Sequence, residues 1–143
     1  MRMLLDTCVL SEFVSKQPNV DVVRWLKEQD EDRLFISTIT LGELQYGVAR
    51  LPPSQRRERL TQWLASDILD RFGNRVLSID AAIMLRWGTL RAQMEAIGRV
   101  LPTFDSMIAA TALVHDLHVV TRNVQDFADA GVQVINPWQD TGK

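Results

Sequence analysis

Asp6, Glu43, Asp105 and Asp126 are the side chains of this chain best suited to chemistry. Each sits where an apolar pattern starts or stops, or on a face where acids are rarely left alone. Glu43 lies in Ile39-Thr-Leu-Gly-Glu-Leu-Gln-Tyr-Gly and shares a helical face with Ile39, Tyr46 and Gly47 rather than with other charges. A half-buried carboxylate in that setting needs an Arg neighbour, a raised pKa or a bound cation. Taken singly, Asp6 and Asp105 also read as helix caps, Asp126 as a solvated or turn acid, and Glu43 as half of an ion pair. If the four converge, their mutual repulsion calls for a cation. Thr7, Ser106, Thr121 and Asn123 stand beside them, so the donor set is all oxygen and suits Mg²⁺ or Mn²⁺ rather than zinc. His115 and His118 have no third ligand at zinc spacing, and there is neither a Gly-rich phosphate loop nor a G-x-S-x-G elbow.

The elements that must position these acids alternate. Met3-Leu4-Leu5 predicts a strand, followed by a helix bearing Val9, Leu10, Phe13 and Val14. Asn19 caps a second helix, Leu34-Phe35-Ile36 is a second strand, and Ile39 to Val48 is helical. After Pro52-Pro53 comes a long helix with Leu60, Trp63, Leu64, Ile68 and Phe72, ended by Gly73-Asn74. Val76-Leu77 is a brief strand. Asp80 then caps a helix with an apolar stripe at Ile83, Trp87, Leu90, Met94 and Ile97. The pattern predicts a helix from Asp105 to Leu117, a strand at 118–121, a last strand at 132–135, and a close at Asn136-Pro137-Trp138. This alternation is that of an α/β domain with a mainly parallel sheet. In such sheets ligands bind outside the carboxyl ends of the strands, where Asp6 and Asn123 fall.

The 143 residues suit one domain spanning 1–143, and 46% hydrophobic with 24% charged residues is ordinary for a soluble globular chain. No apolar run approaches the ~18–20 residues of a membrane helix, and the start has no signal-peptide core, so the expected address is the cytoplasm. The single cysteine, Cys8, reads as a small packed residue. A net charge of −2 excludes a broadly basic nucleic-acid coat. The arginines are nevertheless grouped, with Arg50, Arg56, Arg57 and Arg59 in one stretch and Arg86, Arg91 and Arg99 in another. They read as solvated helix faces or as phosphate contacts.

Four segments in order carry a resemblance: Leu4-Leu5-Asp6-Thr7; Ser37-x-Ile39-Thr40-x-x-Glu43-Leu44-x-x-Gly47; Phe104-Asp105-x-x-Ile108-Ala109-Ala110-Thr111-Ala112; and Val120-Thr121-Arg122-Asn123. Together they resemble a PIN domain of the VapC/FitB toxin type, over nearly the whole chain. The resemblance implies a three-layer α/β/α fold and a homodimer. It also implies a Mg²⁺- or Mn²⁺-dependent endoribonuclease held inactive by a small VapB-like antitoxin. It maps Asp6, Glu43 and Asp105 onto the family's acids. Asn123 stands where many relatives carry a fourth aspartate, which leaves Asp126 as a substitute or as a support to the ligands. The chemistry implied is metal-assisted hydrolysis of RNA. Thr7 and Ser106 would then hydrogen-bond the carboxylates or the water, with Thr121 and Asn123 alongside, and Arg86 and Arg91 would contact phosphate. Two other readings compete. One is a catalytically weak PIN-like module that binds RNA or protein. The other is a phosphoacceptor receiver domain, disfavoured because Asp6 is followed by Thr7 and the last strand by Asn136-Pro137 rather than by Lys.

Overall fold

A computed structural model describes residues 1–139. Five strands, β1 (Met3–Leu5), β2 (Leu34–Ser37), β3 (Val76–Leu77), β4 (His118–Val120) and β5 (Val134–Ile135), form one sheet in the order β3-β2-β1-β4-β5. Every pairing is parallel, with Met3 opposite both Leu34 and His118, and Leu5 opposite Val120. The sheet is therefore fully parallel, which goes one step beyond the expected mainly parallel arrangement.

The strands are short and apolar because both faces are covered. Side chains alternate along β1: Met3 and Leu5 enter one core with Ile36 and Val120, while Leu4 enters the other with Val119. The first core is closed by α1 (Thr7–Val14), α2 (Val20–Lys27), α3 (Thr38–Ala49), α4 (Gln55–Gln62) and α5 (Leu69–Phe72). The second is closed by α6 (Ala81–Ala96), α7 (Thr103–His115) and α8 (Val124–Asp129). The result is three layers, α/β/α, with the small buried side chains Ala109, Ala110 and Ala112 letting α7 lie close.

Several elements depart from the sequence expectation. The long helix is interrupted by a π-helical stretch at Trp63–Ile68. Residues four apart drift by about 40° around an ideal α-helix, and a wider turn offsets that drift, so Leu64, Ile68 and Phe72 all stay buried. Ile97 does not extend the stripe of α6; it is the C-cap and is 66% exposed. α7 begins at Thr103 after Pro102, which places Asp105 third in the helix rather than at its cap. It ends at Asp116, whose left-handed backbone (φ 56°) turns Leu117 back into the core. α8 was not foreseen, because six residues anchored by Phe127 alone are too short to show a period. No helix among the described residues is long and apolar enough to cross a membrane.

Phe127 is fully buried and is the anchor of α8 against the second core. Phe127→Ala is expected to destabilise the fold by about 3–5 kcal/mol, read by urea denaturation.

Candidate active site

Strand order reverses at β1, which has β2 on one side and β4 on the other. The carboxyl ends of β1 and β4 therefore border the crevice in which open parallel sheets bind ligands. Asp6 follows β1 directly, and its N–H donates to the Val120 carbonyl (3.0 Å), as though the ladder ran one residue further. Its side chain is 3% exposed. Oδ1 accepts from the Thr7 N–H and Oδ2 from the Thr121 hydroxyl, both at 2.8 Å. Burial pushes the Asp6 carboxyl above its ordinary range, and the hydrogen bonds from Thr121, Thr7 and Cys8 pull it part of the way back. Asp6 is thus both the N-cap of α1, as one reading of the sequence had it, and a buried acid aimed by its neighbours.

Thr7 links the second acid to the first. Its hydroxyl donates to Glu43 Oε1 at 2.6 Å and stands 3.1 Å from the Thr40 hydroxyl. Thr40 is fully buried on α3, so Glu43 is held on the face of α3 that looks toward α1. Asp105 is half-buried in the first turn of α7. Its carboxyl is raised to about 6 by burial first, and then by the charges of Asp6, Glu43 and Asp126. A helix N-terminus favours the ionised form, so the upward shift means that burial and repulsion outweigh the dipole. The fold therefore brings the other three carboxylates within electrostatic reach of Asp105.

Among the described residues no Lys, Arg or His forms an ion pair with Asp6, Glu43 or Asp105. Asp126 differs, because the Arg99 guanidinium binds it at 3.0 Å and Asp129 at 2.9 Å. The three unpaired acids form an all-oxygen set whose uncompensated charge fits a hard divalent cation. As they stand, no three acid, His or Cys side chains among the described residues are close enough to chelate one. Like charges without a counterion push apart, so a cation would have to draw them inward.

The remaining expected residues fall in different places. Thr121 is fully buried against Asp6 and also accepts the Asn123 N–H at 3.0 Å. Asn123 is exposed, and its side chain makes no capping bond. Ser106 bonds to no carboxylate among the described residues: its oxygen accepts from Trp87 Nε1 (2.8 Å) and its hydroxyl donates to the Thr103 carbonyl (2.6 Å), pinning α6 to α7. Arg91 lies over the Trp87 ring and pairs with Glu95 at 3.1 Å, while Arg86 is half-buried on the same helix. Sequence reasoning gave no role to Arg122, an exposed cation next to Thr121 that stacks on Trp138; its place two residues after β4 was the available signal. Cys8 lies 3.7 Å from Asp6 Oδ2, and burial together with the Asp6 charge pushes its thiol to about 11, so it stays protonated and is no nucleophile.

The raised Asp105 carboxyl has a consequence for stability. Its folded value of about 6 exceeds the unfolded 3.8, so the folded metal-free protein binds the extra proton and loses stability as pH rises through that window. Asp105→Asn removes the penalty. The EDTA-treated variant is expected to be more stable than wild type above about pH 6 by on the order of 1–2 kcal/mol, after discounting for solvent screening. The two should converge near about pH 4, as read by urea denaturation at both pH values.

Comparison with known proteins agrees with this architecture. The PIN domain profile matches residues 3–132. The plasmid stability protein StbB of Pseudomonas syringae pv. tomato is 40% identical over 136 residues, covering 95% of this chain and 98% of the relative. The VapC ribonuclease Y4jK of Sinorhizobium fredii is 36% identical, covering 95% and 97%. Toxin FitB of Neisseria gonorrhoeae is 38% identical, covering 96% and 99%. The crystal structure of FitAcB from Neisseria gonorrhoeae superposes with a TM-score of 0.92 at 37% identity, covering 96% of this chain and 99% of that one. With the profile spanning nearly the whole chain and relatives of this identity matched almost end to end, the chain belongs to the PIN-domain family.

Proposed function

We propose that this chain is the toxin of a toxin–antitoxin pair, a Mg²⁺- or Mn²⁺-dependent endoribonuclease that cuts RNA phosphodiester bonds in the cytoplasm and is neutralised by a small antitoxin. The observation that carries the proposal is the trio Asp6, Glu43 and Asp105, of which Asp105 feels the charges of the other two, with no cation paired to any of them among the described residues. The names of the relatives, a VapC ribonuclease and a FitB toxin, point to the same activity.

Asp6, Asp105 and Glu43 would hold the cation. A divalent ion bound there would offset charge on the scissile phosphate and lower the pKa of an attacking water. The chain's own contribution is orientation. Thr121 and the Thr7 N–H fix both oxygens of Asp6, and the Thr7 hydroxyl fixes one oxygen of Glu43. The other oxygen of Glu43 takes no hydrogen bond among the described residues and faces the task of orienting water. Arg86, Arg91 and Arg122 would meet RNA phosphates, Arg91 by exchanging its Glu95 partner.

Two surfaces support the partners. A cavity of about 250 Å³ on the α1/α2 side, lined by Leu5, Leu10, Phe13, Leu26, Trp63 and Phe72, would receive an apolar side chain of the antitoxin. A basic antitoxin residue among the acids would then compete with the cation. Leu85 on α6, Val100 on the α6–α7 connection and Phe104 in the first turn of α7, all exposed, would be covered in a homodimer.

The full chain, freed of antitoxin and incubated with total RNA, is expected to cleave it with Mn²⁺ or Mg²⁺ but not with EDTA. Cleavage should vanish in Asp6→Ala, Glu43→Ala and Asp105→Asn, and fall about 10–100-fold in Thr7→Val through loss of ligand orientation. Binding of RNA without cleavage under any metal would replace the nuclease with the binding module. Cleavage in EDTA would remove the metal from the account.

A further inference from the structure

Arg99 is the cation paired with Asp126 and Asp129, and nothing in the sequence singles it out for that place. It follows Gly98, whose positive φ of 77° ends α6 in a turn that seats the Arg99 N–H on the Met94 carbonyl at 2.8 Å. From this fixed base one guanidinium nitrogen, Nη2, meets Asp126 Oδ1 at 3.0 Å and Asp129 Oδ2 at 2.9 Å, one α8 turn apart. The three side chains are only 26–39% exposed, so the triad is partly shielded from water and screened less than a surface pair. Of the four carboxylates, Asp126 is the one that has a counterion among the described residues.

We propose that Arg99 is a positioning residue that keeps Asp126 out of the cation's coordination, so that the site presents three acids rather than four and holds its metal less tightly than it otherwise would. The argument is one of competition. A carboxylate shared with a guanidinium has an oxygen already committed and its charge already offset, and leaving that partner for a metal breaks an ion pair. Asp129 strengthens the hold, because it anchors Arg99 when Asp126 lets go. With Asn123 uncharged beyond the end of β4, Asp126 in the first turn of α8 is the next acid along the chain, and Arg99 decides whether it takes part. Limited affinity would keep the centre open to displacement of the ion by a basic group. This inference rests on reading Asp6, Glu43 and Asp105 as a metal centre.

The test is titration of Mn²⁺ into the EDTA-stripped full chain, by calorimetry and by the free-Mn²⁺ electron paramagnetic resonance signal. Wild type is compared with Arg99→Lys, Arg99→Gln, Arg99→Met and Asp126→Asn, and with Arg99→Gln combined with Asp126→Asn. Arg99→Gln and Arg99→Met are expected to bind Mn²⁺ roughly tenfold tighter, with Arg99→Lys close to wild type. The gain should disappear in the double variant, and Asp126→Asn alone should change little. A purely structural role for Arg99 would weaken binding instead of tightening it. Unchanged or weaker binding in Arg99→Gln and Arg99→Met, or the same gain in the Asp126→Asn background, would overturn the proposal while leaving the metal centre standing. Absence of Mn²⁺ binding by wild type would remove the metal centre, and this proposal with it.

Discussion

The burial of Asp6 at the end of the central strand is the constraint around which the other parts are arranged. A carboxylate with 3% exposure must find hydrogen-bond donors or lose its charge. Here the donors come from two directions: the Thr7 N–H at the start of α1 and the Thr121 hydroxyl beyond β4. The first is local, but the second is in place only if β1 and β4 are paired in the observed register, Leu5 opposite Val120. A slip of one residue would reverse the faces of the strand and take Thr121 from Asp6. The same register divides the two cores, with Leu4 and Leu5 pointing to opposite sides. Strand pairing, core division and the aim of the first acid are thus one geometric fact.

Electrostatics then separates the acids into two kinds. Asp6, Glu43 and Asp105 have no counterion among the described residues, and the Asp105 carboxyl is raised to about 6 by burial first and then by the charges of the other acids. Asp126 shares Arg99 with Asp129 and is already balanced. A cation bound among these acids would offset the free energy that burial and repulsion withhold from the metal-free protein, and its binding would then be coupled to stability. Thr7 matters for the same reason: its 2.6 Å bond to Glu43 keeps a carboxylate of α3 facing the switch point when repulsion alone would turn it away.

Elements with a strong local signal were legible in the sequence. The apolar triplet before Asp6, the Asn19 and Asp80 caps and the Val119-Val120 strand all appear where the pattern put them. Elements governed by a turn or by brevity were not. Asp116 ends α7 by adopting a left-handed conformation that no periodicity announces. α8 is too short to show a period, and the π-helical stretch preserves a face that an ideal helix would have lost. The bond from Trp87 to Ser106 could not be read from the sequence, because its donor lies nineteen residues away on another helix.

By itself the sequence determined the alternation of strands and helices, the identity of the four acids and the absence of a zinc or phosphate-loop motif. These follow from residue type and local spacing, which the chain carries whatever its fold. Only the tertiary structure decided which acids lack a counterion. The Asp6–Thr121 bond spans 115 positions, Thr7–Glu43 36 and Arg99–Asp126 27. Pairings over such distances are set by strand order and helix packing, and the energy of a charge depends on the neighbours that packing supplies rather than on those the chain places beside it.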